Sequence, residues 1–182
     1  MLVSCAAGQG TLFERELAGL GAEIEAVEEP ERLGRGGGIK FAAAARNEGG
    51  DVLAMNGDEL VAVDFGALLR QHRSSGAVAT VTVARPRSQF GMVDVDDDDV
   101  VRGFHEAGQV PYWVNCGIYV LTDKAIARFP QRGDHETTTF PALAAEGSLH
   151  AFRHEGVWLT VNTPKELRVA AEYVAEHPDW LA

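Results

Sequence analysis

A carboxylate at the end of a short apolar run is the feature of this chain best suited to chemistry. The segment Asp51-Val-Leu-Ala-Met-Asn56-Gly57-Asp58 reads as a buried strand that stops on a glycine turn. Such a strand delivers one charged oxygen ligand to the carboxyl edge of an α/β sheet, where these folds bind their ligands. Asp58 is therefore a candidate metal or substrate position. The alternative is an ordinary strand-ending turn, because Asn-Gly and Gly-Asp are common turn dipeptides. A second candidate is Leu33, Gly34, Arg35, Gly36, Gly37 and Gly38, directly ahead of a helical pattern over residues 39–47. Four glycines in five residues remove the side chains that would hold a ligand off the backbone, and the helix would present free N–H groups and a partial positive charge. An anionic or planar ligand would suit that loop. The pattern matches neither GxGxxG nor the Walker motif, so a flexible loop is the competing reading.

Other polar clusters carry less. Asp96, Asp97, Asp98 and Asp99 lie between two strand-like runs and read as the solvated tip of a hairpin, since the EF-hand spacing and its glycine are missing. Cys5 and Cys116 sit in apolar runs without zinc or redox spacing and read as small buried hydrophobes. A net charge of −11 with no Lys/Arg cluster excludes the electrostatic footprint of a nucleic-acid partner. Small phosphorylated ligands remain compatible, because a helix N-terminus and one or two local cations can hold them. No apolar run reaches the roughly 18 residues of a membrane span, so the chain reads as soluble and cytoplasmic. With 182 residues and 46% hydrophobic content, it should bury one sizeable core as a single domain.

Positioning these residues requires alternating elements. Residues 2–5, 23–27, 52–55 and 78–83 read as strands; residues 10–20, 39–47 and 65–74 read as helices, the last N-capped by Asp64. That alternation implies a Rossmann-like α/β fold, with a mostly parallel sheet covered by helices on both faces. In the second half, residues 91–95 and 100–105 form a small antiparallel β-hairpin insertion. Strands follow over 116–121, 149–152 and 157–161, with helices over 122–129, 138–145 and 163–176. Thr163 caps the last of these, with Pro164 at its first position.

Taken in order, several segments resemble the motifs of one family. Glu31-Arg-Leu-Gly34-Arg-Gly-Gly37-Gly-Ile-Lys resembles E-x-L-G-T-A-G-A-L-K, and Leu53-Ala-Met-Asn56-Gly57-Asp58 resembles L-V-x-N-G-D. Val63-Asp64-Phe65 with Leu68, Leu69 and His72 is similar to D-(L/F)-x-x-L-L-x-x-H. Phe90-Gly91-Met-Val resembles Y-G-V-V, Phe104-His105-Glu106 resembles the start of F-x-E-K-P, and Val114-Asn115-Cys116-Gly117-Ile118-Tyr119 resembles I-N-A-G-I-Y. Phe140-Pro141-Ala-Leu and Trp158-Leu-Thr-Val-Asn-Thr163-Pro164 complete the set. These are the motifs of the sugar-1-phosphate nucleotidyltransferases, the sugar nucleotide pyrophosphorylases that include mannose-1-phosphate guanylyltransferases.

The resemblance implies Mg²⁺-dependent attack by a sugar 1-phosphate on the α-phosphorus of an NTP, with GTP favoured, giving a nucleotide sugar and pyrophosphate. It gives Asp58 the catalytic metal-ligand role. It places Leu33, Gly34, Arg35, Gly36, Gly37, Asn56 and Gly57 against the nucleotide, and Gly91, Glu106, Asn115 and Gly117 around the sugar. Some family features differ. The glycine-rich G-G-x-G-T-R-L-x-P-L segment is absent, as though the domain were N-terminally truncated, and Gly8-Gln9-Gly10-Thr11 is too short to replace it. A sheet lacking its first strand would leave a neighbour with unpaired N–H and C=O groups, an edge that favours a homo-oligomer. Ala107 and Gly108 stand where the family has Lys and Pro, and Thr160 stands where it has a second metal-binding carboxylate. Arg35 replaces a Thr and either returns one positive charge to the site or faces solvent. A catalytically impaired nucleotide-sugar-binding or regulatory module is thus a second reading. A glycosyltransferase is a third, disfavoured because Asn56-Gly57-Asp58 lacks the first acid of D-x-D.

Overall fold

A computed structural model describes residues 1–88, 90–106 and 108–179. The elements in chain order are β1 (Leu2–Ala6), α1 (Gly10–Glu16), β2 (Glu25–Glu29), α2 (Gly34–Ala44), β3 (Val52–Met55), β4 (Glu59–Val61), α3 (Phe65–Ser75) and β5 (Ala79–Ala84). They continue with β6 (Met92–Val95), β7 (Val101–His105), β8 (Val114–Leu121), α4 (Asp123–Arg128), α5 (Thr139–Ala145), β9 (Leu149–Arg153), β10 (Trp158–Thr160) and α6 (Pro164–Glu176). The α/β architecture, with a mostly parallel sheet and an antiparallel hairpin, is the one the alternation implied.

Strand order follows burial. The four-stranded sheet runs β3-β8-β5-β9, so β8 and β5 are flanked on both edges. All six residues of β5 and the last six of β8 are buried, the pattern of strands covered on both faces. In β5 the alternating Thr80 and Thr82 do not mark a wet face. Both are buried; the Thr80 hydroxyl lies 2.8 Å from Nδ1 of the buried His72, and Thr82 Oγ1 has no partner among the described residues. Separately, β1 and β2 form a parallel pair with Leu2 opposite Glu25, and β6 and β7 form the hairpin with a register irregularity at Asp94/Val95. At the hairpin tip the Asp96 carboxylate accepts from the N–H groups of Asp98 and Val100 at 3.0 Å each and pairs with Arg102 at 2.6 Å. Those bonds hold its pKa below the usual range, backbone N–H donation from Val100 contributing most. The run of acids is a turn.

Three helix starts, those of α3, α4 and α6, carry side-chain caps. Asp64 Oδ1 accepts from Ala67 N at 2.8 Å, Thr122 Oγ1 from Ala125 N at 3.3 Å and Thr163 Oγ1 from Glu166 N at 3.2 Å. Two expectations shift. The first helix stops at Glu16 instead of running to residue 20, where Gly19 and Gly21 take positive φ. The segment expected as a glycine loop is already helix, because α2 begins at Gly34.

The chain folds into two compact units, the first of Met1–Ala54, Leu69–Thr80 and Tyr119–His150, the second of Met55–Leu68, Val81–Ile118 and Ala151–Ala182. The first is built on an aromatic cluster. The His135 ring stacks on Phe129 at 4.7 Å and meets Phe140 and Tyr119 edge-on at 4.6 and 5.1 Å, with Leu143 fully buried. Burial pushes the His135 pKa down, and neither ring nitrogen has a partner among the described residues, so a neutral imidazole serves as a flat packing surface. The core of the second unit draws on Leu68, Val61, Val63, Val81, Val83, Cys116 and Ile118. Both cysteines are free and buried, and burial pushes the Cys116 thiol up to about 12, which makes it inert. No helix among the described residues is long and apolar enough to cross a membrane. Leu143→Ala is expected to cost about 2–5 kcal/mol in urea unfolding; a loss below about 1 kcal/mol would show that α5 is not seated on this core.

Candidate functional site

The second unit assembles the strand-end candidates. β3 ends at Met55, and Asn56, Gly57 and Asp58 make the turn into β4. Asn56 N donates to Gly117 O at 2.9 Å, which ties the turn to β8. Gly117 has φ +70°, and a Cβ on it would lie 2.5 Å from Asn56 Nδ2 and 3.1 Å from Glu59 Cγ, so backbone conformation and space both demand glycine. Its N–H donates to Asn115 Oδ1 at 2.9 Å, which brings Asn115 to the same place. On the far side of the turn, Asp58 O accepts from Val161 N at 2.8 Å. The Asp58 side chain is exposed and engages no partner among the described residues.

β4 pairs antiparallel with β10, placing Glu59 opposite Thr160 and Val61 opposite Trp158. Glu59 Oε2 accepts from Trp158 Nε1 at 2.6 Å. Burial pushes the Glu59 carboxyl above its ordinary range, and the neighbouring Asp58 charge adds to that while the Trp158 bond opposes it. Sequence reasoning missed Glu59 and the pairing of these two three-residue strands. The only available signal was an acid following Asp58. Thr160, the neutral residue at the expected second-carboxylate position, sits directly across the ladder from Glu59.

Gly91 and Glu106 are also neighbours. A Cβ on Gly91 would meet Phe104 Cζ at 2.7 Å and Glu106 Oε2 at 3.2 Å, so glycine there admits the side chains of the strand opposite. Glu106 is exposed at the end of β7. Ala107, the expected Lys position, lies outside the described residues.

Leu33, Gly34, Arg35, Gly36 and Gly37 belong to the first unit, where the chain's own atoms occupy them. Gly36 N and Gly37 N donate to Gly133 O at 3.0 and 3.1 Å, Leu33 N to Glu29 Oε2 at 2.9 Å and Arg35 N to Asp134 Oδ1 at 3.1 Å. The Arg35 guanidinium pairs with Asp134 at 3.1 Å and Glu136 at 2.6 Å, and its bond holds the Asp134 carboxyl below the usual range. A Cβ on Gly36 would lie 2.7 Å from His135 N, and one on Gly37 2.7 Å from Gln131 O. The glycines thus let the helix start seat against residues 131–135, and Asp134 takes the anion's place at its N-terminus. The N–H groups of Leu33, Arg35, Gly36 and Gly37 and the Arg35 guanidinium are thus engaged within the chain.

Asp58 can hold an ion only in a certain way. Among the described residues no group of three or more His, Cys, Asp or Glu is poised around a common centre. Mg²⁺ typically takes one or two carboxylates and completes its octahedron with phosphate oxygens and waters. One unpaired, exposed carboxylate fits that demand; Glu59, held by Trp158, is the nearest further acid in the chain.

Gly117→Ala is expected to lose roughly 2 kcal/mol or more, from positive-φ strain and the contact with Asn56. Gly57→Ala, with nothing within 4 Å of the added Cβ, should lose under about 1 kcal/mol. Equal losses in urea unfolding would remove the special role of Gly117. Because the folded Glu59 pKa is raised, the folded chain holds that proton more tightly than the unfolded one. Stability from this source is fully present below the ordinary glutamate range and falls as pH rises through the raised value. Glu59→Gln keeps an acceptor for Trp158 and should flatten that fall in urea midpoints measured from acidic to neutral pH; an unchanged profile would show that Glu59 is not desolvated.

Residues 3–177 match the family model described as nucleotidyl transferase. Over 177 residues the chain is 36% identical to the mannose-1-phosphate guanylyltransferase of Mycobacterium tuberculosis, an alignment covering 90% of this chain and 48% of that protein. It is 29% identical over 174 residues to the mannose-1-phosphate guanylyltransferase catalytic subunit beta of Xenopus tropicalis, covering 89% of this chain and 48% of the relative. The chain therefore spans about half the length of the curated relatives it matches. Among solved structures, that of HddC from Yersinia pseudotuberculosis complexed with GMP-PN has a TM-score of 0.69 at 19% identity, covering 94% of this chain and 77% of that one. At that identity the likeness concerns the fold alone. Family match, ordered motifs and fold agree, and the chain belongs to the nucleotidyl transferase family.

Proposed function

We propose that this chain acts in sugar-1-phosphate nucleotidyl transfer, moving a nucleoside monophosphate from an NTP to a sugar 1-phosphate and releasing pyrophosphate. Family membership supports the reaction class, and relatives named mannose-1-phosphate guanylyltransferase support GTP and mannose 1-phosphate as first choices. The observation that carries the reading is the unpaired Asp58 carboxylate, held at a strand end by the Asn56–Gly117 bond. In the transfer, an oxygen of the sugar phosphate forms a bond to the α-phosphorus while the bond from that phosphorus to the bridging β-phosphate oxygen breaks. The protein contributes position and charge. Mg²⁺ held by Asp58 would supply neutralisation of the phosphate oxygens. Asn56 and Gly57 keep the turn in place beside the nucleotide phosphates. Glu106 accepts from sugar hydroxyls, Asn115 accepts from or donates to them, and Gly91 and Gly117 leave room for the ring. Contact between the nucleotide and Leu33, Gly34, Arg35, Gly36 or Gly37 requires the Arg35 pairs with Asp134 and Glu136 to open.

A second reading is a nucleotide-sugar-binding module with little turnover, favoured by the neutral Thr160 across from Glu59. Pyrophosphate release from GTP and mannose 1-phosphate with Mg²⁺ separates the two. Asp58→Asn is expected to lower that release roughly 100-fold or more while leaving the circular dichroism spectrum unchanged. Turnover that survives the change would end the metal assignment, and calorimetric GDP-mannose binding without any turnover would favour the module.

A further inference from the structure

Although the chain carries a net charge of −11, three guanidinium groups gather on one cavity of the second unit. Arg85 and Arg87 follow the end of β5, and Arg153 ends β9. Together with the Trp113 ring they line a cavity of about 640 Å³, within the roughly 300–1,000 Å³ usual for small-ligand sites. Arg35, Arg46, Arg102 and Arg128 each meet a carboxylate. Among the described residues Arg85, Arg87 and Arg153 meet none, although Glu155 also lines the cavity.

The site is built before any ligand arrives. Arg85 Cζ lies 4.4 Å and Arg153 Cζ 5.2 Å from the Trp113 ring centroid, so one indole holds both groups by cation–π attraction. Both cations are thereby closer to each other than the roughly 10 Å Debye length at 0.1 M salt, and they repel. The backbone is fixed too. Arg87 bridges Gln109 in antiparallel fashion, Val110 N donates to Pro86 O at 3.0 Å, Ser88 N donates to Gly108 O at 2.8 Å and Gln109 Nε2 donates to Arg85 O at 3.3 Å. On such an extended segment residues two apart share a side, which puts Arg85 and Arg87 on the same cavity. An anion with several acceptor oxygens would relieve the repulsion and fill the guanidinium forks.

We propose that this cavity is an anion site for a small phosphate-bearing molecule, gripped by Arg85, Arg87 and Arg153 over Trp113. Its lining includes none of Asp58, Gly91, Glu106, Asn115 or Gly117, so it stands apart from the residues proposed for transfer. It touches that region through Trp158, which lines the cavity and donates to Glu59. The phosphate could sit on a sugar or be free pyrophosphate, and both present the same oxygens to the arginines.

Isothermal titration of the full chain in EDTA at low salt tests the proposal, with pyrophosphate, mannose 1-phosphate and mannose as separate ligands. Saturable binding of pyrophosphate or mannose 1-phosphate without binding of mannose is expected; binding of only one of the two identifies the source. Arg85→Gln with Arg153→Gln should weaken that binding at least about 10-fold, Arg85→Lys should weaken it less, and Arg128→Gln, which removes a guanidinium paired with Glu146 outside the cavity, should leave it unchanged. The wild-type affinity should also fall as salt rises. Mannose binding as tightly as its phosphate, no phosphate binding at all, or undiminished affinity in the folded variant carrying Arg85→Gln with Arg153→Gln would each overturn the site. So would an equal loss of binding in Arg128→Gln. Because the readout needs neither metal nor turnover, failure of the transfer reaction leaves this result standing, and the reverse holds.

Discussion

Gly117 packs closely against the Asn56–Asp58 turn, and the position of the turn depends on that contact. A side chain on Gly117 would occupy the space of Asn56 Nδ2, and its φ of +70° is one that L residues rarely adopt. Because that space is empty of a side chain, Asn56 N reaches Gly117 O and the end of β3 is fixed against a strand that is buried on both faces. The turn is held again on its other side by Val161 N on Asp58 O. Two backbone bonds therefore locate Asp58 without using its carboxylate. A binding group held through its backbone keeps its side-chain oxygens for a ligand, which is the preorganisation that charge-stabilising sites require.

Two adjacent acids consequently differ in what they can do. Glu59 starts a ladder with β10, gives an oxygen to Trp158 and is desolvated, so a proton competes more strongly for it. Asp58 is exposed and unpaired. The Asp58 oxygens are left open to a ligand, whereas Glu59 serves as an anchor for the indole.

Much of this was legible in local sequence. Asp64 and Thr163 announce helix starts because a short side-chain acceptor serves the N–H three residues on, a strictly local interaction. The run ending at Asn56-Gly57-Asp58 announces a strand end because Asn-Gly and Gly-Asp are turn dipeptides, again a local signal. The three-residue strands β4 and β10 were not legible as a pair, since their ladder joins residues about a hundred positions apart. The Thr-Val alternation of β5 misleads because Thr80 and Thr82 are buried, Thr80 beside His72. The glycine segment reads locally as a loop because the atoms that fill its space and take its N–H groups, Gly133, Asp134 and His135, lie far downstream.

The same nonlocality governs charge. The chain carries no basic run and its net charge is strongly negative, yet folding sorts the cations into two conditions. At the start of α2 the chain supplies its own anions, with Asp134 and Glu136 meeting Arg35 and the helix N-terminus together. At Trp113 it supplies an aromatic face, which holds Arg85 and Arg153 without neutralising them. An external phosphate gains little where an internal carboxylate must first be displaced, and gains most where like charges already repel around an open volume. Net charge does not say where an anion site lies; the distribution of paired and unpaired arginines decides where one can be.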